Sequence, residues 1–315
     1  MAAMWSRPAM TGLGGALALS GCGVLPPEAP SASPVTAASV PTVSVSPMDC
    51  RKFEAHRARL AARSAPAPMA PAAKPAASVD AEDTDDAEDD DAAGQAALIP
   101  ALAHPPLFST TRTGPLPEGW QSWTVNRTKI PTRYTLTEVD QRPVLHAMAE
   151  SSASGLYVPL VGREAGMLRW TWKTRDIIRN ADNAQGHRED APLRLFVAFD
   201  GDKSTLSLKD QLMFEMARLT TGRDMPYATL MYIWGGQRAE GTVLRNPHTD
   251  RVRMIVVDTG TKHANQWRCH ERDLRADYRK AFGSDPGQLL AVGIMTDTDN
   301  TKSRAEAWYG DIALD

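Results

Sequence analysis

The chain has 315 residues, 42% of them hydrophobic and 6% aromatic, with 23 prolines, 3 cysteines and a net charge of −3. That length suits one large domain or two ordinary ones, and the composition excludes a disulfide-rich miniprotein and a polytopic membrane protein. Residues 107–315 hold seven of the eight Trp and all six Tyr, whereas residues 23–106 hold 13 of the prolines, no Trp or Tyr, and one Phe, Phe53.

From the N-terminus, residues 1–21 carry one positive charge, Arg7, and then the small and apolar run Met10–Leu19, which reads as a secretory signal too short for a mature membrane span. The segment ends in Leu19-Ser20-Gly21-Cys22, which resembles the lipobox of bacterial lipoproteins. That resemblance implies a mature chain beginning at a lipidated Cys22, whose several acyl chains give stable membrane anchoring. Gly23 in place of Asp after the cysteine implies the periplasmic face of a Gram-negative outer membrane. In such an oxidising compartment Cys50 and Cys269 can pair with each other or with other chains. Two unpaired thiols is the alternative, because Cys50 lies in a segment read as flexible.

Residues 22–106 read as a disordered Ala/Pro-rich tether, with a coil reach of about 50 Å. Two features interrupt it. Asp49–Arg63 has an acidic N-cap candidate and five basic residues and reads as a short, marginal helix. Asp80–Asp91 has nine acidic residues in twelve, a self-repelling, extended run.

Residues 107–315 read as one domain in which 28 basic residues face 26 acidic ones, a near balance that argues against nucleic-acid binding. Thr132–Val139 and Val144–Ala149 flank the turn Asp140–Pro143 as a hairpin. Gly166–Thr174 alternates Leu168, Trp170 and Trp172 against Arg169, Thr171 and Lys173, the clearest strand signal in the chain. Further strands are expected at Leu193–Phe199, Tyr227–Trp234, Val252–Val257, Leu289–Met295 and Ala307–Leu314. Two helices break the series. One starts at Ser207 as N-cap, with Leu208, Leu212, Met216 and Leu219 at helical spacing; the other spans Glu271–Phe282, with Leu274, Tyr278 and Phe282 inward and Gly283 at its end. Strands throughout the domain, with two capping helices, predict an antiparallel β-sandwich.

A family resemblance rests on Tyr278-Arg-Lys-Ala-Phe-Gly283, Val292-Gly-Ile-Met-Thr-Asp-Thr-Asp-Asn-Thr301 and Ala307-Trp-Tyr-Gly-Asp-Ile312, with Leu168–Lys173 and Glu189–Arg194 upstream. These resemble a bacterial family known only as a domain of unknown function, number 3047. Membership implies a secreted jelly-roll β-sandwich similar to galactose-binding-like carbohydrate modules, and no established activity.

Candidate chemistry centres on acidic clusters. Asp297, Asp299 and Asn300 offer three oxygen-bearing side chains within four residues, which suits a structural Ca²⁺ at Asp297 and Asp299 but lacks the Gly and distal Glu of an EF-hand. The alternative is an Asx-type turn, with Lys302 neutralising the acids. Glu189, Asp190 and Arg194 can hold sugar hydroxyls through carboxylate acceptors and a guanidinium fork, or form a structural ion pair at a strand start. Trp172, with Trp170, is a stacking surface for sugar rings or a core residue. Asp311 can join either acidic cluster from the last strand. His263 and His270 have no zinc spacing and read as surface or helix-cap residues, and no phosphate loop, nucleophile elbow or Cys-X-X-Cys is present.

The leading functional expectation is a non-catalytic envelope lipoprotein whose sandwich binds a glycan through Trp172, Glu189, Asp190, Arg194, Asp297, Asp299, Asn300 and Asp311. The alternatives are a polysaccharide hydrolase or lyase using Asp190, Asp297 or Asp311, and a protein-binding assembly factor. Both glycan readings require Glu189, Asp190, Arg194, Asp297 and Asp311 to converge in one concave site.

Overall fold

The computed structural model describes residues 40–64, 100–111, 114–124, 128–221 and 224–315. The signal segment, Cys22 and the acidic run Asp80–Asp91 lie outside them. Alternating or continuously apolar runs form the strands: β1 (Gln121–Thr124), β2 (Arg133–Val139), β3 (Arg142–Glu150), β4 (Ala153–Arg163), β5 (Met167–Thr174), β6 (Ala191–Phe199), β7 (Ala228–Gly235), β8 (Val243–Arg245), β9 (Val252–Thr259), β10 (Arg268–Asp273), β11 (Leu289–Asp297) and β12 (Arg304–Leu314). The α-helices are α1 (Cys50–Ser64), α2 (Leu208–Thr221) and α3 (Leu274–Phe282). Among the described residues no helix is long and apolar enough to cross a membrane.

The strands make a seven-stranded sheet, β1-β4-β11-β6-β7-β9-β8, and a five-stranded sheet, β10-β5-β12-β3-β2. Leu145, Trp170, Trp172 and Tyr309 from the smaller sheet and Leu195, Val197, Leu230, Tyr232, Ile255 and Ile294 from the larger are buried in one shared core. Each such aliphatic or aromatic side chain contributes about 1.5–3 kcal/mol on burial, so the two-layer sandwich is what the period-2 pattern demands. The predicted hairpin is β2–β3, closed by a two-residue turn in which Asp140 (φ 53°) and Gln141 (φ 61°) are both left-handed, the backbone that matches strand twist. One pairing departs from the antiparallel expectation: β7 and β9 are parallel.

Strand β4, absent from the sequence reading, is obscured by Pro159, which removes a ladder donor. The register shows why it is tolerated. Strand β1 begins at Gln121 opposite Tyr157, so Pro159 lies beyond its neighbour, and Leu102 N–H uses the Pro159 carbonyl (2.9 Å) instead.

Two expectations are corrected. Residues 40–64 and 100–106, assigned above to the tether, pack on the sandwich. Val43 N–H donates to the Gly241 carbonyl (2.8 Å) and Met48 N–H to that of Cys269 (2.8 Å), Phe53 is buried, and Cys50 is disulfide-bonded to Cys269. Gly241 is required there: its φ is +83°, and a Cβ would stand 2.2 Å from the Val43 oxygen. Helix α1 does start at the predicted Asp49 cap, whose carboxylate accepts Arg51 N–H (2.9 Å). Helix α2 also forms as predicted, but Leu208, Leu212, Met216 and Leu219 are exposed by 58–76%. Its rotation is set from the other side by buried Phe214 and by Asp210, which accepts from the Thr249 hydroxyl (3.0 Å). Helix α3 starts three residues later than read, because Glu271–Asp273 belong to β10 and Asp273 caps the helix by accepting Ala276 N–H (3.0 Å); Leu274 and Tyr278 are buried as expected and Gly283 ends it left-handed at φ 79°.

Candidate functional site

At one end of the seven-stranded sheet the structure does bring Asp190, Arg194, Asp297 and Asp299 together. Arg194 on β6 donates Nε to Asp297 Oδ1 (2.8 Å) and Nη2 to Oδ2 (3.0 Å), a bidentate pair in which both side chains are no more than 6% exposed. The same guanidinium donates to the Glu189 carbonyl, and Ala191 N–H donates to Asp297 (3.1 Å). Asp190 accepts the backbone N–H groups of Asn300 (3.1 Å) and Thr301 (2.7 Å) and the Thr301 hydroxyl (2.5 Å), holding the β11–β12 loop. Lys129, and not the expected Lys302, pairs with Asp299. Burial pushes Asp297 up to about 6 against the pull of Arg194. Burial would lower Arg194, yet the Asp297 and Glu189 carboxylates outweigh it and raise its pKa.

This geometry defines an internal ion-pair network. Asp190, Asp297 and Asp299 each place one oxygen within 4.8 Å of the others, so Asp190 joins the two residues that the sequence offered for Ca²⁺. Arg194 pairs with Asp297 and Lys129 with Asp299 there, while Asp190 is held by backbone N–H and hydroxyl donors alone, so a divalent ion at these oxygens would compete with those partners. Asn300 contributes its backbone N–H to the network. Glu189 points the other way, accepting Asn246 Nδ2 (3.1 Å).

The remaining two candidates are elsewhere. Asp311 lies under α1 and accepts the Ser109 N–H (2.9 Å) and hydroxyl (2.5 Å), its pKa raised by burial. It does not join the acidic network, so the convergence that both glycan readings required of these residues is not met. Trp172 is fully buried and donates Nε1 to Asp258 Oδ2 (2.7 Å), which removes it as a stacking surface. The same carboxylate takes His270 Nε2 (2.7 Å) and Arg268 Nε (2.8 Å). Burial would raise Asp258, but His270, Trp172 and Arg268 outweigh it and hold it low. His270, expected at the surface, is therefore a core residue.

The accessible chemistry is on the outer face of the five-stranded sheet. Helix α1 covers one half of that face, tied by Arg142–Glu54, by Arg57–Ser109 (3.2 Å) and by the disulfide. The other half is open. Across it, Thr135, His146, Trp308 and Lys173 stand on successive strands in register, and Trp267 follows beyond β5. The Trp308 ring stacks on His146 (5.3 Å between centroids), and the Lys173 ammonium lies 4.6 Å from Trp308 and 5.4 Å from Trp267. All four side chains of this aromatic row are half-buried. Beside it runs a groove of about 560 Å³ lined by Ile130, Arg133, Met148, Arg175, Arg304 and Glu306. A flat aromatic strip flanked by hydrogen-bonding groups stacks apolar ring faces and orients hydroxyls. Sequence reasoning passed over these residues, although strand parity contains the signal: Lys173 is out of phase with Trp170 and Trp172, and Trp308 with Ala307 and Tyr309.

The architecture is thus a two-layer β-sandwich carrying an open aromatic sheet face. Residues 118–313 match the family described as "protein of unknown function (DUF3047)", and the chain belongs to it. No curated protein matches the chain. Among solved structures it is similar to the carbohydrate recognition domain of Emp47p, at 11% identity over 70% of this chain and 97% of that one with TM-score 0.34. It is also similar to the K2 cleaved adhesin domain of Lys-gingipain, at 10% identity over 66% and 95% with TM-score 0.31. A third likeness is a β-1,2-glucanase from Parabacteroides distasonis, at 12% identity with TM-score 0.29, where the match spans 62% of this chain and 23% of the glucanase.

Proposed function

We propose that this protein is a non-catalytic glycan-binding module of the bacterial cell envelope, taking its ligand on the open half of the five-stranded sheet. The observation that carries the reading is the row His146, Trp308, Lys173 and Trp267, half-buried and alongside the groove. The carboxylates that would serve an enzyme, Asp190, Asp297 and Asp311, are at most 4% exposed and bonded internally, so they support binding architecture and not hydrolysis.

On a glycan array the full chain binds an envelope polysaccharide, and Trp308→Ala weakens that binding about tenfold, or 1.4 kcal/mol, while its thermal melt stays cooperative. Trp123→Ala, on the far face of the other sheet against Phe196, leaves affinity unchanged. Loss in Trp123→Ala with Trp308→Ala unaffected would move the site to that face, and absence of binding to every glycan would sink the module reading. Lipidation at Cys22 would place the domain at the periplasmic face of the outer membrane. Cys22→Ser should then leave the protein in the soluble fraction, and continued membrane partitioning would refute the anchor.

A further inference from the structure

Resting on the glycan-binding reading, the charge arrangement of the open face assigns it a ligand class: we infer that the glycan is acidic, a polyuronate recognised through its carboxylates. The acids along the groove are already discharged. Glu150 is paired with Arg304, Glu306 with Arg175 (2.9 Å) and His146 (3.0 Å), and Asp176 with Arg179 (3.1 Å). Two cations are left over. Arg133 has no carboxylate partner among the described residues; its guanidinium meets only the Met148 thioether (2.9 Å), a weak acceptor. Lys173 likewise has no carboxylate and is held between Trp267 and Trp308 by ring contacts alone. The strip therefore presents two positive groups with unspent donor capacity, and the exposed carboxylate that touches it, Asp140, is engaged by the Trp267 indole N–H (3.3 Å) at the Lys173 end, away from Arg133.

Their placement selects a chain over a single sugar. Arg133 lies on β2, two residues out of register with the Lys173 row, and Lys173 on β5, with β3 and β12 between them, so their backbone positions stand about 16 Å apart by strand spacing and rise. A short oligosaccharide spans that distance across Trp308, whereas one sugar does not. A guanidinium fork at one end favours a planar carboxylate, and the aromatic centre takes the intervening ring.

The probe is a polygalacturonate oligosaccharide and its fully methyl-esterified form, identical except for charge, titrated against the full-length protein at two salt concentrations. The acidic form binds at least tenfold tighter, and added salt erodes that margin. Arg133→Gln removes most of the preference, weakening the acidic form far more than the ester, while Trp308→Ala lowers both alike. Equal binding of the two forms, or no binding of the acidic form, overturns the inference. If neutral glycans on the array still bind in a Trp308-dependent way, the module reading survives that outcome; if none binds, both fall together.

Discussion

Asp297→Ala is expected to lower the unfolding free energy by about 3–5 kcal/mol, because it leaves the Arg194 guanidinium buried without its bidentate partner. The double variant Arg194→Met/Asp297→Leu recovers most of that loss, since exchanging both partners for apolar groups of similar volume removes the uncompensated charge. Urea unfolding of the wild type, the two single variants and the double variant measures the coupling directly. The contrast also decides between structural and ligand-binding roles. Should Asp297→Ala unfold like the wild type yet lose glycan binding, the network would have to be a ligand site after all.

The second large effect is expected from the Cys50–Cys269 bond, which closes a sequence separation of 219 residues. Replacing both cysteines by Ala should cost about 2–5 kcal/mol, mostly by releasing the unfolded chain from the cross-link. Hydrogen exchange would show α1 losing protection before the sheets do, because its remaining anchors are Phe53 and a few polar contacts, Glu54–Arg142, His56–Asp315 and Arg57 with Ser109 and Asp311. Unchanged stability in the double variant, or equal loss of protection in β6 and α1, would refute the role of the bond as the staple of that helix. The result bears on function as well, since α1 decides how much of the outer sheet face stays open.

Much of the fold was legible because its signals are local. Residues Leu168, Trp170 and Trp172 alternate inward as read, and the caps at Asp49 and Ser207 start their helices where the side chains meet early backbone N–H groups. The failures share a different physical cause. The exposed stripe of α2 has the spacing of a buried face, and spacing alone does not say which side a helix turns to the core. Here buried Phe214, with Asp210 bound to Thr249, turns the opposite side inward and leaves the four apolar side chains exposed. Residues 40–64 resemble the spacer around them in composition, yet one Phe, one Cys and a Gly opposite Val43 are enough to dock them.

The candidate site shows the same division. By itself the sequence determined which residues belong to strands, which strand faces are apolar, where helices begin, and that acidic residues gather around positions 189–190 and 297–299. These follow from backbone preferences and from side chains a few residues apart. Only the tertiary structure decided what those residues do. It joined Arg194 to Asp297 and Lys129 to Asp299, so that the acidic residues are held in an interior network of ion pairs and hydrogen bonds. It buried Trp172 against Asp258 and aligned Trp308, Lys173 and His146 across neighbouring strands on an open face. Each of these outcomes depends on contacts between residues tens to hundreds of positions apart, and on solvent access, neither of which residue spacing encodes.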